Sequence, residues 1–308
     1  MLSQQWIKMA GLLSVARGLM MSRPSVTRTS RMSAEYSMAD QQARFAAAKE
    51  RKDERYLNIE NVFDGSYLKE KKVVVTGGNR GLGLEIAKRA KDCGAETVVT
   101  CRKKGDNLEG IAKAYEGVDV TDLESLKKFA ETFTKEEGSV DLLINNAGYF
   151  YGPVETVKGD TLNFDEELKQ IDVCALGPLR VTSELYKAGA LKDGAKVVII
   201  TSQAGSVEWR TTQNPEGGDY GHHMSRSACN IMGALLAQEL KSNGITVILL
   251  HPGFNRTDMT KKYSDIWDIE GAVEPWQGGM RVLHEAGLHG IDDTGKFFNC
   301  EDGLQIPW

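Results

Sequence analysis

From Lys71 to the C-terminus, short runs of β-branched and other apolar residues alternate with longer segments whose apolar positions recur every three to four residues. The first pattern is that of strands buried on both faces, and the second that of helices with one apolar stripe. The runs predict strands at 72–77, 97–101, 115–119, 141–145, 196–201, 245–250 and 296–299. The helical periods predict helices at 82–93, 122–136, 162–189, 220–242 and 273–286. Strands joined by crossovers of helical length imply a parallel sheet covered on both faces. The expected fold is therefore α/β, a doubly wound Rossmann sheet in a single domain over residues 69–308, with ligand at the carboxyl ends of the strands.

Two segments precede that domain. Residues 1–34 contain no acid, five basic residues (Lys8, Arg17, Arg23, Arg28 and Arg31) and apolar material for an amphipathic helix. This is the composition of an organellar targeting peptide, mitochondrial or plastid. A secretory signal with its apolar core at Ala10 to Ala16 is the rival, tightly bracketed by Lys8 and Arg17; a cytoplasmic protein is the alternative location. Residues 35–68 read as a charged helical linker, because Ala43 to Lys52 combine high helix propensity with mixed charge. A solvated helix or a partly ordered linker is expected there, with a docking helix for a partner as the rival.

Composition removes several functions. A net charge of −5 and a pI near 5.7 leave no global basic field for nucleic acid. The five cysteines are scattered without metal-ligand spacing or a disulfide framework, which suits a reducing compartment; no metal site is expected. No run of about 18 apolar residues is present, so no membrane span is expected.

The candidate chemistry begins at the first strand. Val73-Val74-Val75 run into Thr76-Gly77-Gly78-Asn79-Arg80-Gly81-Leu82-Gly83, and Leu84, Ile86, Ala87 and Ala90 follow at helical spacing. Glycines let a backbone approach a ligand closely, and the free N–H groups of a helix's first turn favour an anion such as a pyrophosphate. By itself the turn equally suits an ordinary strand–helix connection.

Further motifs add to it. The spacing Thr-Gly-x-x-x-Gly-x-Gly, Asn145-Asn146-Ala147-Gly148 at the end of another strand, and Pro252-Gly253 with Thr257-Asp258-Met259 occur in order. The C-terminus, Gly295-Lys296-Phe297-Phe298 to Ile306-Pro307-Trp308, is similar to the C-signal/carbonyl-reductase-like branch. Over roughly residues 68–308 the chain resembles the short-chain dehydrogenase/reductase family. That resemblance implies a nicotinamide cofactor held by Gly77, Asn79, Arg80, Gly81, Leu82, Gly83, Asn146, Ala147, Gly148, Pro252, Gly253 and Thr257. Asp119-Val120 matches the pair that contacts the adenine. The second strand ends in Arg102-Lys103-Lys104 without the acid that would bind the ribose hydroxyls of NAD, and Arg80 adds a second cation. NADP(H) is therefore the expected cofactor, unless the run is merely a solvated charge cluster.

The resemblance breaks at the reacting groups. The family uses a tyrosine, a lysine four residues later, a serine and an asparagine. Ser202 matches the serine, after Val197-Val198-Ile199-Ile200-Thr201. Aligning Met224-Ser225-Arg226-Ser227-Ala228-Cys229-Asn230 puts Arg226 at the lysine, His222 at the tyrosine, and Cys174 at the asparagine. Guanidinium keeps the positive charge with a different geometry. An imidazole donates a hydrogen bond when neutral, gives up a proton efficiently only as imidazolium, and has its pKa pushed down by Arg226. Cysteine is not expected to take over the asparagine's bonding. Tyr220 lies about 200° round the helix from the donor position, and His223 is expected at the surface.

The leading expectation is an NADP(H)-dependent oxidoreductase acting on a small carbonyl or alcohol substrate with an altered proton donor. His222 would polarise or protonate the substrate oxygen, Ser202 would orient it and Arg226 would hold the cofactor. The alternative is a catalytically degenerate NADP(H)-binding scaffold, subunit or sensor. Hydrolase chemistry at Ser202 or Cys174 lacks nucleophile–base spacing. Tyr263, Ile266, Trp267 and Trp276 in the segment after Thr257 point to an apolar substrate or to packing of a lid. The helices at 162–189 and 220–242 are the expected homodimer surface. A fusion of residues 1–40 to a fluorescent reporter should enter an organelle, and cytosolic retention of the reporter would remove the targeting reading.

Overall fold

The apolar runs pair into one wholly parallel seven-stranded sheet in the computed structural model of the chain, which describes residues 38–103, 105 and 108–308. The strands are β1 (Lys72–Thr76), β2 (Glu96–Cys101), β3 (Lys113–Glu116), β4 (Val140–Asn145), β5 (Leu191–Ile200), β6 (Thr246–His251) and β7 (Phe297–Asn299). Their order is β3-β2-β1-β4-β5-β6-β7. The chain runs outward from β1 in one direction and from β4 in the other, so the adjacent β1 and β4 flank the point where strand order reverses.

The helices are α1 (Gln41–Arg51), α2 (Glu54–Leu57), α3 (Gly81–Asp92), α4 (Leu123–Glu137), α5 (Phe164–Ile171), α6 (Gly177–Lys187), α7 (Val207–Gln213), α8 (Tyr220–Lys241), α9 (Trp267–Glu270) and α10 (Pro275–Leu288). One face of the sheet buries Val74, Leu143, Val197 and Leu249 against Phe129 and Phe133 of α4, Leu185 of α6 and Leu236 of α8. The other buries Val75, Ile144, Val198 and Leu250 against Leu84 and Ile86 of α3 and Val282 and Leu283 of α10. Gly233 lets α8 lie close on the sheet, since a Cβ there would stand 2.7 Å from Leu249 Cδ2. No helix among the described residues is long and apolar enough to cross a membrane, and no group of three or more His, Cys, Asp or Glu among them suits a metal ion.

Several boundaries differ from the pattern. β3 occupies 113–116 rather than 115–119, because Gly117 takes a φ of +71° and turns the chain out of the strand. The helix expected over 162–189 is α5 and α6 joined through a π-helical turn, Asp172–Leu176. α7 and the 3₁₀ segment Asp258–Ile266 are too short for their periodicity to stand out. The targeting reading falls on residues 1–34, outside the described residues.

The largest correction concerns residues 38–68, which are packed on the domain rather than standing off as a solvated linker. Tyr56, Ile59 and Leu68 are buried, as are the polar Gln41 and Arg44 of α1. Their main partner is Glu301, in the turn after β7, a carboxylate with no exposed surface. Gln41 Nε2 donates to both of its oxygens at 3.0 Å. Arg44 and the fully buried Arg281 of α10 lie at 3.8 and 3.7 Å. Arg281 also donates to the Tyr56 carbonyl at 2.5 Å, and Arg55 pairs with Glu285 of α10.

Burial pushes the Glu301 carboxyl up, but Arg281, Arg44, His251 and the Gln41 amide outweigh it and hold it below its ordinary 4.5. A carboxyl with a depressed folded value contributes stability above its unfolded value, and that contribution is lost as pH falls through the folded value. Glu301→Gln should therefore cost about 3 kcal/mol at pH 7, roughly 6–10 °C in Tm for a domain of this size. The same variant should flatten the fall of Tm with pH below 4.5, and an unchanged acid limb in thermal melts would contradict the assignment.

Candidate active site

The glycine turn and the Asn146 turn face each other across the β1–β4 junction. Thr76 Oγ1 accepts from the N–H groups of Asn146 and Ala147 at 3.0 Å, and Asn146 Nδ2 donates to the Thr76 carbonyl at 3.0 Å. The Asn146 side chain thus locks the two turns together. Gly83 is pressed against them, where a Cβ would stand 2.6 Å from the Gly77 carbonyl oxygen and collide with the Asn146 amide. Gly77 and Gly81 take φ values of +64° and +53°. A Cβ on Gly81 would meet nothing within 4 Å, and Arg80 makes no side-chain cap on α3. The first-turn N–H groups of α3 are therefore left for an anion. Leu82 packs partly into the core beneath.

Beyond β2 the chain bends through Arg102, which is exposed, as is Arg80. Asn79 Nδ2 donates to the Lys103 carbonyl at 2.9 Å and ties this bend to the glycine turn. Arg102 and Asp119 share a cleft of about 380 Å³ with Thr121, Leu168 and Asp172. Asp119 Oδ1 accepts from Thr121 N and Oγ1 at 2.9 and 2.7 Å. Val120 lies in the core, with its Cγ2 3.0 Å from where a Cβ on Gly177 would stand, and its carbonyl accepts from Arg180. Lys104 is outside the described residues.

The other end of the groove is built on α8. Arg226 is only 7 % exposed, yet no carboxylate lies within ion-pair distance of its guanidinium among the described residues. Nη1 donates to the Ile200 carbonyl at 3.4 Å, Nη2 lies 3.4 Å from where a Cβ on Gly148 would be, and Nε has no hydrogen-bond partner among the described residues. The Ser202 turn packs on the same stretch of α8: Ser227 Oγ donates to the Gly205 carbonyl at 3.1 Å. Ser202 Oγ accepts from Ala204 N at 3.1 Å, leaving its hydroxyl proton without a protein acceptor among these contacts. One turn before Arg226, His222 stands edge-on to Phe150 with ring centroids 4.7 Å apart, and its Nδ1 has no partner. Pro252 and Gly253 are closed by Asn255, whose Nδ2 donates to both carbonyls at 3.2 and 3.0 Å. Thr257 opens the 3₁₀ segment with Thr260 in a reciprocal cap.

Electrostatics decide the state of His222. Burial, then the charges of Arg226, Arg210 and Lys262 beside a second imidazole, hold it well below the ordinary 6.5, so it is neutral at physiological pH. Of the two roles expected for His222, polarising or protonating the substrate oxygen, a neutral ring that donates or accepts one hydrogen bond suits the first. His223 is not a surface histidine: its Nδ1 donates to the Asp219 carbonyl at 2.8 Å and its Nε2 accepts from Arg210 Nη1 at 3.0 Å. Cys174 also differs from expectation. Buried in the π-helical turn, its Sγ donates to the Tyr149 carbonyl at 3.3 Å and accepts the Tyr149 N–H at 3.4 Å, so the thiol does bond the backbone. Tyr220, at the start of α8, is exposed.

Sequence reasoning passed over three groups. Glu155 is buried and accepts from Gly221 N at 3.3 Å, placing a negative charge at the α8 N-terminus. Arg210 holds His223 as described. Phe150 bridges His222 and Tyr263, whose ring lies 6.3 Å from it. Of the aromatic residues after Thr257, Tyr263 makes this contact, whereas Trp267 lies under Arg256 at 5.7 Å. The apolar wall of the site is thus smaller than the sequence suggested.

Comparison with known proteins agrees with this geometry. The short chain dehydrogenase family model matches residues 71–266. The 1-hydroxy-2-glutathionyl-2-methyl-3-butene dehydrogenase of Rhodococcus sp. (strain AD45) is 32 % identical over 237 residues, 77 % of this chain and 99 % of that protein. The C-signal protein of Myxococcus xanthus is 33 % identical over 174 residues, 56 % of this chain and 94 % of that one. Among solved structures, NADPH-bound carbonyl reductase from chicken fatty liver superposes with a TM-score of 0.66 at 23 % identity, over 78 % of this chain and all of that one.

Because burial and neighbouring cations both oppose its charge, His222 should stay neutral from pH 8 down past the ordinary imidazole value of 6.5. Its imidazole proton resonance in NMR should not move over that range, and a titration midpoint near 6.5 would overturn the picture.

Proposed function

Because the chain belongs to the short-chain dehydrogenase family, we propose that it is an oxidoreductase that uses NADP(H) on a carbonyl or alcohol group of a small molecule. The observation that carries this reading is Arg226, a buried cation with no carboxylate in ion-pair reach among the described residues, beside the Asn146-Ala147-Gly148 turn. A buried charge is costly unless something pairs with it or hydrogen-bonds to it. The ribose hydroxyls of a dinucleotide would meet that need. The uncapped first turn of α3 and the open face of Gly81 likewise fit a pyrophosphate.

On this reading the amides of residues 77–83 hold the pyrophosphate, Arg80 and Arg102 face a 2′-phosphate, and Asp119 lies at the adenine end of the cleft. Gly148, Arg226, Pro252, Gly253 and Thr257 surround the nicotinamide end. A bound nicotinamide supplies the hydride donor or acceptor. Ser202 donates a hydrogen bond from its hydroxyl to the substrate oxygen and neutral His222 a second, while the proton that this oxygen gains on reduction, or loses on oxidation, is exchanged with solvent water across the imidazole. Burial, with Arg226 second, keeps the ring neutral and therefore available. The name of the Rhodococcus relative describes dehydrogenation of a hydroxy compound, and that of the chicken structure a carbonyl reductase, which supports this substrate class.

The second reading, a non-catalytic NADP(H)-binding subunit or sensor, draws on the same residues: of the family's four reacting groups only Ser202 is retained. A homodimer through α5, α6 and α8 is part of the proposal, supported by the exposed Leu168, Leu179, Ile231 and Leu235 on those helices. Delivery to a mitochondrion or plastid by residues 1–34 is another part.

Purified protein titrated with NADPH and NADH, then assayed on a panel of carbonyl compounds at several pH values, tests the proposal. Arg102→Asp should weaken NADPH at least about tenfold and spare NADH, since a charge-assisted hydrogen bond contributes about 1.5–3 kcal/mol. His222→Ala should abolish turnover and leave NADPH affinity nearly intact, with no loss of wild-type activity between pH 6.5 and 8. Equal binding of NADH by the natural protein would reject the cofactor preference. NADPH binding without turnover of any carbonyl would favour the subunit or sensor.

A further inference from the structure

The family-matched region begins at residue 71, yet the helix ahead of it bonds directly to the turn after Ser202 and to the end of the segment after Thr257, and reaches the Pro252–Thr257 turn through Glu301. Gln41 and Arg44 lie three residues apart on α1 and so share a face. Gln41 Nε2 donates to Glu301 and, at 3.2 Å, to the Glu270 carbonyl that closes the segment after Thr257. Arg44 Nη2 donates to Gln203 Oε1 at 2.8 Å, directly after Ser202, while its guanidinium faces Glu301. Glu301 in turn accepts the Phe254 N–H at 3.2 Å, and its Cγ stands 2.6 Å from where a Cβ on Gly253 would be. Phe45 lies against Gly271 with the same closeness.

We propose that α1 is a working part of the site, with Gln41 and Arg44 as positioning residues that set the Pro252–Thr257 turn through Glu301 and the Ser202 turn through Gln203. This rests on the reading above that those turns hold the nicotinamide end of a cofactor and the substrate oxygen. The physical link is the buried carboxylate. Glu301 is fully enclosed, so no water replaces a lost partner, and it must reorient or take up a proton instead. Reorientation withdraws the acceptor from the Phe254 N–H, and protonation weakens it by removing the negative charge; both loosen the Gly253 backbone, whose φ of +79° is held against the Glu301 side chain. Small displacements of a positioning loop are costly to a site that depends on alignment.

The test uses the full-length chain with Arg44→Gln, Gln41→Leu and, for comparison, Arg55→Gln. Arg55 belongs to the same N-terminal segment and pairs with buried Glu285, but it contacts neither Glu301 nor Gln203 through a hydrogen bond or ion pair. All three variants should lower Tm. In the cofactor-free protein, hydrogen exchange at residues 252–271 should quicken in the Arg44 and Gln41 variants and stay as in wild type in the Arg55 variant. NADPH binding, read by fluorescence titration, should weaken at least about fivefold in the first two and not in the third. Arg44→Lys, which keeps the charge, should recover part of the loss.

Unchanged exchange at 252–271 in the Arg44 variant would overturn the proposal. So would an equal change in the Arg55 variant, which marks general destabilisation, or full NADPH affinity in the Arg44 and Gln41 variants. Faster exchange confined to those two variants, in a protein whose wild type binds no NADPH, would sustain the mechanical link and reject the cofactor reading.

Discussion

A carboxylate shut away from water has to be neutralised where it stands, and the placement of Glu301 imposes that condition on both ends of the chain. Its closest partner is a neutral amide, Gln41, whereas the two arginines sit farther off and act mainly through space. The arrangement is not the tightest available: among the described residues Arg281 Nε and Nη1 have no hydrogen-bond partner, and Arg44 Nε has only the Asp302 carboxylate, at 3.5 Å. Buried ion pairs of this kind contribute little net stability compared with a well-packed apolar core, but losing one member is expensive. Their effect is to make one docking position of α1 far better than any neighbouring one. The N-terminal segment, α10 and the turn after β7 are thereby fixed to one another, and the Gly253 turn with them.

The candidate site has the complementary condition, a buried cation. Arg226 occupies the position where the family has lysine, and its charge reaches His222 four residues earlier on the same helix face. In the family, such a cation favours loss of a tyrosine proton; here it favours the uncharged form of an imidazole. On the alignment that pairs His222 with the family's tyrosine, a group poised to donate a proton would be replaced by one held neutral. Arg210 extends the effect, since it fixes His223 with Nδ1 protonated and Nε2 as acceptor, and burial lowers the Arg210 guanidinium itself to about 10.

Cys174 shows how a substitution that looks like a loss can be absorbed locally. The π-helical turn between α5 and α6 brings its sulfur to the backbone of Tyr149, where it serves as donor and acceptor at once. The loop that follows Gly148 is tethered by that pair of contacts, so Phe150 is carried to the face of His222. What the thiol lacks is reach: its two contacts end on one residue, whereas an amide offers separate donor and acceptor atoms.

The sequence by itself determined the strands, their parallel pairing and the glycine turn, because each is written in residues close together along the chain. Apolar runs of strand length mark the sheet, and glycines mark the turns that approach a ligand. The motifs at Gly77–Gly83, Asn145–Gly148 and Pro252–Thr257 likewise identified the groove, and the spacing of His222 and Arg226 put them on one helix face. Only the tertiary structure decided that α1 is docked, that burial outweighs even Arg226 in holding His222 neutral, that His223 is held by Arg210, and that Cys174 bonds Tyr149. Charged residues in a helix of high propensity read as solvated until their partners are known, and the partner of Gln41 is 260 residues away. The reason is the same for each: burial and Coulomb interaction depend on distance in space, and a local pattern carries no record of which distant residue closes over it.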